Sequence, residues 1–117
     1  MTESNLPSSP EAEKAVLGCM LIDPDCAREM AGRLSPGDFC LPENRAVFEA
    51  VRAAASRDRT ADEVAVFEEM RKSGAPDGSI RDRLMGLIEI TPTSANAAEY
   101  AAILREKAEL RAAGATG

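Results

Sequence analysis

Apolar positions recur every three or four residues along almost the whole chain, in runs separated by turns rich in proline and glycine. The first run is "SSPEAEKAVLGCMLI". Ser9 offers a capping hydroxyl, Pro10 suits the first helical position, and Glu11 and Glu13 put negative charge at the positive end of a helix. Ala12, Ala15, Val16, Cys19 and Met20 keep helical spacing, and Leu17 and Leu21 add a second stripe, so this helix is expected to be buried on more than one side. "DPDCAREMAGRL" repeats the device, with Asp23 as cap, Pro24 as first residue, and Ala27, Met30, Ala31 and Leu34 on one face. "SPGDFCLP" reads as a turn whose Phe39 anchors a loop on the core. Pro42 opens a third helix that faces inward with Val47, Phe48, Val51 and Ala54 or Ala55.

"TADE" has the form of a capping box, Thr60 at the cap and Glu63 three residues on. Val64, Phe67 and Met70 make the stripe of the fourth helix, Gly74 ends it, and Pro76 lies just beyond. A fifth helix, capped by Ser79, lines one face with Ile80, Leu84, Leu87 and Ile88. After the "TPTS" turn a sixth carries Ala97, Tyr100, Leu104 and Ala108, with Ile103, Lys107 and Leu110 alongside. The pattern predicts an all-α, six-helix domain over residues 9–111: a small helical bundle (helices 1–4, residues 9–74) and an antiparallel helical hairpin (helices 5–6, residues 79–111). Residues 1–8 read as a flexible tail and 112–117 as the start of a linker or a tail. Two helices cannot enclose a core, so the hairpin must bury its stripe on the bundle, on a partner or on a second copy of itself.

Composition sharpens this picture. Hydrophobic residues make up 44% of the 117 positions but aromatics only 3%, so the core is aliphatic and rich in alanine, which favours helices. The net charge of −6 argues against a domain that grips DNA phosphates. The best candidate for a basic recognition helix, "LREKAELR", balances Arg105, Lys107 and Arg111 with Glu106 and Glu109. Cys19, Cys26 and Cys40 form no close pair and match no zinc spacing, and there is no His; reduced thiols in the cytoplasm are expected, with Cys19 a small core residue. No apolar run approaches the roughly 18–20 residues of a membrane span, and the N-terminus lacks the pattern of a secretory leader. There is no G-x-x-x-x-G-K-[ST] loop for a nucleotide, and no Ser–His pair for nucleophilic catalysis. Glu11, Glu13, Glu68 and Glu69 read as solvated helix surface. The expectation is that this chain holds no catalytic, cofactor or metal residues.

Three blocks carry a family likeness. "NLPSSPEAEKAVLGCMLIDPDC", "LSPGDFCLPENRAVFEAV" and "TPTSANAAEYAAILREKAELR" resemble, in order and spacing, the N-terminal domain of bacterial replicative DNA helicases, the DnaB-like family. The matching residues include Leu6, Pro7, Glu11, Ala12, Glu13, Val16, Leu17, Gly18, Leu21, Asp23 and Pro24. The segment between the second and third blocks departs from the family and keeps only Gly78 of its glycine pair. The resemblance implies an all-helical collar domain whose hairpins pair between subunits, six domains forming a trimer of dimers that docks the C-terminal domain of primase. ATP and Mg would then belong to a separate motor domain beyond this chain, and DNA would be contacted only indirectly, through that motor. The implied setting is the replication fork of a bacterium or phage, with no membrane. On this reading Leu84, Leu87, Ile88, Tyr100, Ile103 and Leu104 are the candidate self-association residues, and Leu87→Asp should disrupt association while sparing helicity. Arg81, Asp82, Glu99 and Arg105 form the candidate primase-docking rim. Two other classes stay open: a stand-alone helical regulator that binds a host replicative helicase or primase, and a small DNA-binding module.

Overall fold

The first helix, α1 (Pro10–Ile22), is apolar on nearly every side, and that decides the architecture. Ala12, Glu13 and the unbroken run from Val16 to Leu21 are all buried. A helix without a solvated face belongs in the middle. In the computed structural model, which describes residues 9–57 and 62–116 and side chains through Ala112, four other helices pack directly on α1. They are α2 (Pro24–Arg33), α3 (Pro42–Arg57), α5 (Asp77–Glu89) and α6 (Ala97–Thr116). The remaining helix, α4 (Glu63–Lys72), lies against α3 and α5, and a 3-10 turn over Pro36–Asp38 bridges α3 and α6. The all-α, six-helix reading holds for the described residues.

Local signals place most of the helix ends. Ser9 Oγ accepts from the Ala12 N–H at 3.3 Å, and Asp23 Oδ1 accepts from the Asp25 and Cys26 N–H groups at 3.0 and 3.4 Å. Gly74, at φ 96°, takes the left-handed position after α4 at no steric cost. Thr60 lies outside the described residues; the cap of α4 is Asp62, which accepts from Ala65 N at 2.9 Å. The cap position of α5 is Pro76 rather than Ser79, so α5 starts three residues earlier than a cap at Ser79 indicates. The helical run of α6 continues to Thr116, past the break expected at 112.

The core joins Phe39 to Phe48, their ring centroids 4.9 Å apart, with Leu17, Met20, Met30, Val47 and Val51 around them. The stripe of α4 is shifted from the expected one: Val66 and Met70 are buried, Phe67 packs partly on the core, and Val64 is 66% exposed. The division into bundle and hairpin also changes. The chain does reverse between α5 and α6, but the two helices barely meet, because each lies along α1. Their apolar stripes are spent on the body of the same chain.

Candidate protein-interaction surface

A buried carboxylate organises one end of α1. Glu13 is 1% exposed, a correction to its reading as solvated surface. Leu41, just before α3, has no side-chain oxygen with which to cap that helix. Glu13 reaches across from α1 to do so. Its carboxylate accepts from Cys40 N at 2.7 Å, Leu41 N at 3.4 Å and Asn44 Nδ2 at 2.9 Å. Negative charge at this helix N-terminus is favoured by the orphan N–H groups and the helix dipole.

The other end of α1 holds the turn between α5 and α6. A Cβ on Gly18 would stand 1.8 Å from Thr91 Oγ1 and 2.8 Å from the Leu87 carbonyl oxygen, so only glycine admits this approach. Thr91 Oγ1 donates to the Leu87 carbonyl at 2.8 Å, which satisfies the hydroxyl inside the protein. Cys19 Sγ lies 3.6 Å from the Thr93 carbonyl, and Ser94 Oγ donates to Asp23 Oδ2 at 2.8 Å. The Ser94 hydroxyl, followed by the Cys26 N–H, holds the Asp23 carboxyl below its usual value. Burial, with the Asp23 charge adding to it, pushes the Cys19 thiol up; burial, then Cys19 and then Asp23, pushes Cys26 up to about 12. A third junction ties α6 to the 3-10 turn. Arg105 Nη1 donates to the Arg33 carbonyl at 3.3 Å, and Arg111 Nη2 donates to the Gly37 and Asp38 carbonyls at 3.3 Å each. The three sequence blocks thus meet one another around α1.

The candidate association residues divide. Leu84, Leu87 and Leu104 are only 3%, 4% and 1% exposed and belong to the core. Leu87→Asp would therefore unfold the domain rather than report on a contact between copies. Ile88 and Tyr100 are half-buried against the core, and Ile103 is exposed. Beside these, Met85, Ile90 and Leu110 are also exposed. Leu110 follows the pattern of the sixth helix, whereas Met85 and Ile90 escape periodicity reasoning because they lie off the buried stripe of α5.

The four candidate rim residues are all exposed, but they are not gathered. Arg81 stands over the Phe67 ring of α4, 5.7 Å from its centroid. Asp82 borders a shallow hollow with Lys14, Arg83 and Ile90. Glu99 sits in the first turn of α6, and Arg105 reaches away to α2 and the 3-10 turn, its Nε 3.9 Å from Asp38 Oδ1. Among the described residues no three His, Cys, Asp or Glu side chains converge as a metal site, and no helix is long and apolar enough to cross a membrane.

These features define a small all-α domain whose described buried polar groups cap helices and tie helices and turns together around α1. The chain belongs to the DnaB-like helicase N-terminal domain family, whose model matches residues 5–106. It is 38% identical over 112 residues to the replicative DNA helicase DnaB of Mycobacterium leprae, covering 90% of this chain and 18% of that protein. Identity to the Geobacillus stearothermophilus DnaB is 36% over 107 residues, covering 90% of this chain and 23% of that one. The chain therefore spans about a fifth of the length of these relatives. The crystal structure of the N-terminal domain of DnaB helicase from Mycobacterium tuberculosis superposes with a TM-score of 0.81 at 39% identity, covering 91% of this chain and 76% of that one.

Proposed function

We propose that this chain is the collar domain of a replicative DNA helicase, which associates with copies of itself and docks the C-terminal domain of primase. Membership of the family supports the setting. The observation that carries the association is the unspent apolar surface at the α5–α6 turn, where Ile90, 58% exposed, borders a hollow with half-buried Tyr100, and Ile103, 36% exposed, follows Tyr100 by one turn of α6. An exposed apolar group of this kind favours a protein partner over solvent. Strand unwinding, with its ATP and Mg, is assigned to a separate motor domain. The net charge of −6 suits a domain that meets DNA only through that motor. On this reading the chain works in the cytoplasm at the replication fork.

The test is sedimentation velocity of the chain and of Ile103→Asp, with and without the primase C-terminal domain. The proposal expects concentration-dependent association and a complex with primase, with association weakened at least tenfold by the aspartate at unchanged helicity. Association that ignores Ile103→Asp would remove this surface from the account, and no complex at any concentration would remove primase docking.

A further inference from the structure

Helix α6 changes character at Leu104. Up to that point it is held like the other helices: Ala97, Ala101 and Leu104 fall at i, i+4 and i+7 and are buried on the body of the chain. From Arg105 to Ala112 no side chain is buried, and Leu110 is 46% exposed, yet the helix runs on to Thr116. A stretch this short is marginal as a helix in water without tertiary support, and Gly114 within it weakens it further. Two arginines supply the hold. Arg105 Nη1 donates at 3.3 Å to the carbonyl of Arg33, the last residue of α2, and Arg105 Nε lies 3.9 Å from Asp38 Oδ1. Arg111 Nη2 is shared between the Gly37 and Asp38 carbonyls, at 3.3 Å each.

We infer that α6 from Arg105 onward is a latched arm, docked on the 3-10 turn while Arg105 and Arg111 hold these carbonyls, and unwinding about Leu104 when they let go, with the rest of the fold unchanged. The cradle keeps its own shape. Asp38 Oδ2 accepts from Ser35 N at 2.9 Å and from Ser35 Oγ at 3.3 Å, and Phe39, next in the chain, is fully buried in the core. The arm has no buried anchor, so of the two it is the arm that moves. The Arg33 carbonyl belongs to the last turn of α2, where orphan carbonyls and the negative end of the helix dipole favour a cation. Contacts of 3.3 Å are longer than the best charge-assisted bonds, so they dock the arm without fusing it to the core. Segments held in this way open locally at a free energy below that of global unfolding. On the collar reading the arm lies between this domain and the motor, so the docked arm fixes the direction in which the chain leaves and the unwound arm frees it. That consequence rests on the collar reading; the latch does not.

The test is amide hydrogen exchange of the whole chain, resolved by residue with NMR, in dilute solution so that association adds no protection. The amides of residues 109–116 bond to carbonyls at 105 and beyond, and those of 101–104 to carbonyls at 97–100. The first group should exchange about a hundredfold faster than the second in the parent chain. Arg105→Ala combined with Arg111→Ala should speed the first group about tenfold more, and leave the second group, the α1 amides and the melting temperature unchanged. Arg111→Lys keeps the charge but loses the planar fork, so it should fall between the parent and Arg111→Ala. Lys107→Ala removes a cation of the same arm that docks on no carbonyl, and should leave the rates within about twofold. Residues 109–116 exchanging as slowly as α1 would make the arm part of the core and overturn the inference. Rates indifferent to the double substitution, or accelerated equally throughout α1, would overturn it too. The expected pattern in a chain that sediments as a monomer would uphold the latch while the association reading fails.

Discussion

Glu13→Ala should be among the most damaging single substitutions in the domain. Glu13 is 1% exposed, and two of its acceptor contacts are short, 2.7 Å from Cys40 N and 2.9 Å from Asn44 Nδ2. The third, from Leu41 N, is long at 3.4 Å and weaker. Removing the carboxylate leaves two strong donors unsatisfied, at about 1–3 kcal/mol each. It also leaves a small void, and the first turn of α3 loses its cap. The combined loss is roughly 3–5 kcal/mol, set against about 5–15 kcal/mol of total stability for a domain of ordinary size. The melting temperature should fall on the order of 10–20 °C. Glu13→Gln keeps the shape but turns one acceptor into a donor facing other donors, so an intermediate loss of about 1–3 kcal/mol is expected. Glu11→Ala, two residues away and exposed, should stay within about 0.5 kcal/mol of the parent. Urea denaturation followed by far-ultraviolet circular dichroism measures all three. If Glu13→Ala falls within about 1 kcal/mol of the parent, the reasoning from buried acceptors is refuted.

Gly18→Ala should cost about 1–3 kcal/mol or more, because the new methyl meets both the Thr91 side chain and the Leu87 carbonyl oxygen; equal melting temperatures would contradict the close approach. Asp23 has a folded value below the ordinary 3.8, so its contribution to stability is present above pH 3.8 and is lost as pH falls through the folded value. Ser94→Ala removes the largest cause of that shift and should flatten the acid limb of a stability–pH curve; an unchanged limb would count against the Ser94–Asp23 bond. With a thiol reagent at pH 8, Cys40 should react in the native protein while Cys19 and Cys26 wait for unfolding, because both are buried and burial pushes both thiols up. Rapid modification of all three cysteines in the native chain would show that the α1–α2 packing opens readily.

Sequence reasoning succeeded where one residue's chemistry decides the local structure. Ser9–Pro10 and Asp23–Pro24 start helices because a side-chain acceptor and a fixed φ suffice, and Gly74 stops one because it alone accepts a positive φ without cost. Phe39 and Cys19 were legible as core residues for similar reasons. Glu13 was misread because its partners lie 27, 28 and 31 positions away, and nothing in its own surroundings reveals them. The α4 stripe was misread because a short helix with Val64, Val66 and Phe67 offers two apolar faces, and only the neighbours select one. The candidate surface suffered from the same ambiguity. Leu84, Leu87 and Leu104 have the spacing of an interface, but the chain's own core claims that face first, and the exposed Met85 and Ile90 fall outside the regular pattern.

The central claim is that this domain associates with its own kind, and the most direct measurement is its mass in solution across concentration, by sedimentation equilibrium at moderate salt. The account predicts an average mass that climbs from the 12.4 kDa chain towards twice that value or beyond, and that falls back with Ile103→Asp. A single species at the chain mass up to the highest soluble concentration would contradict it.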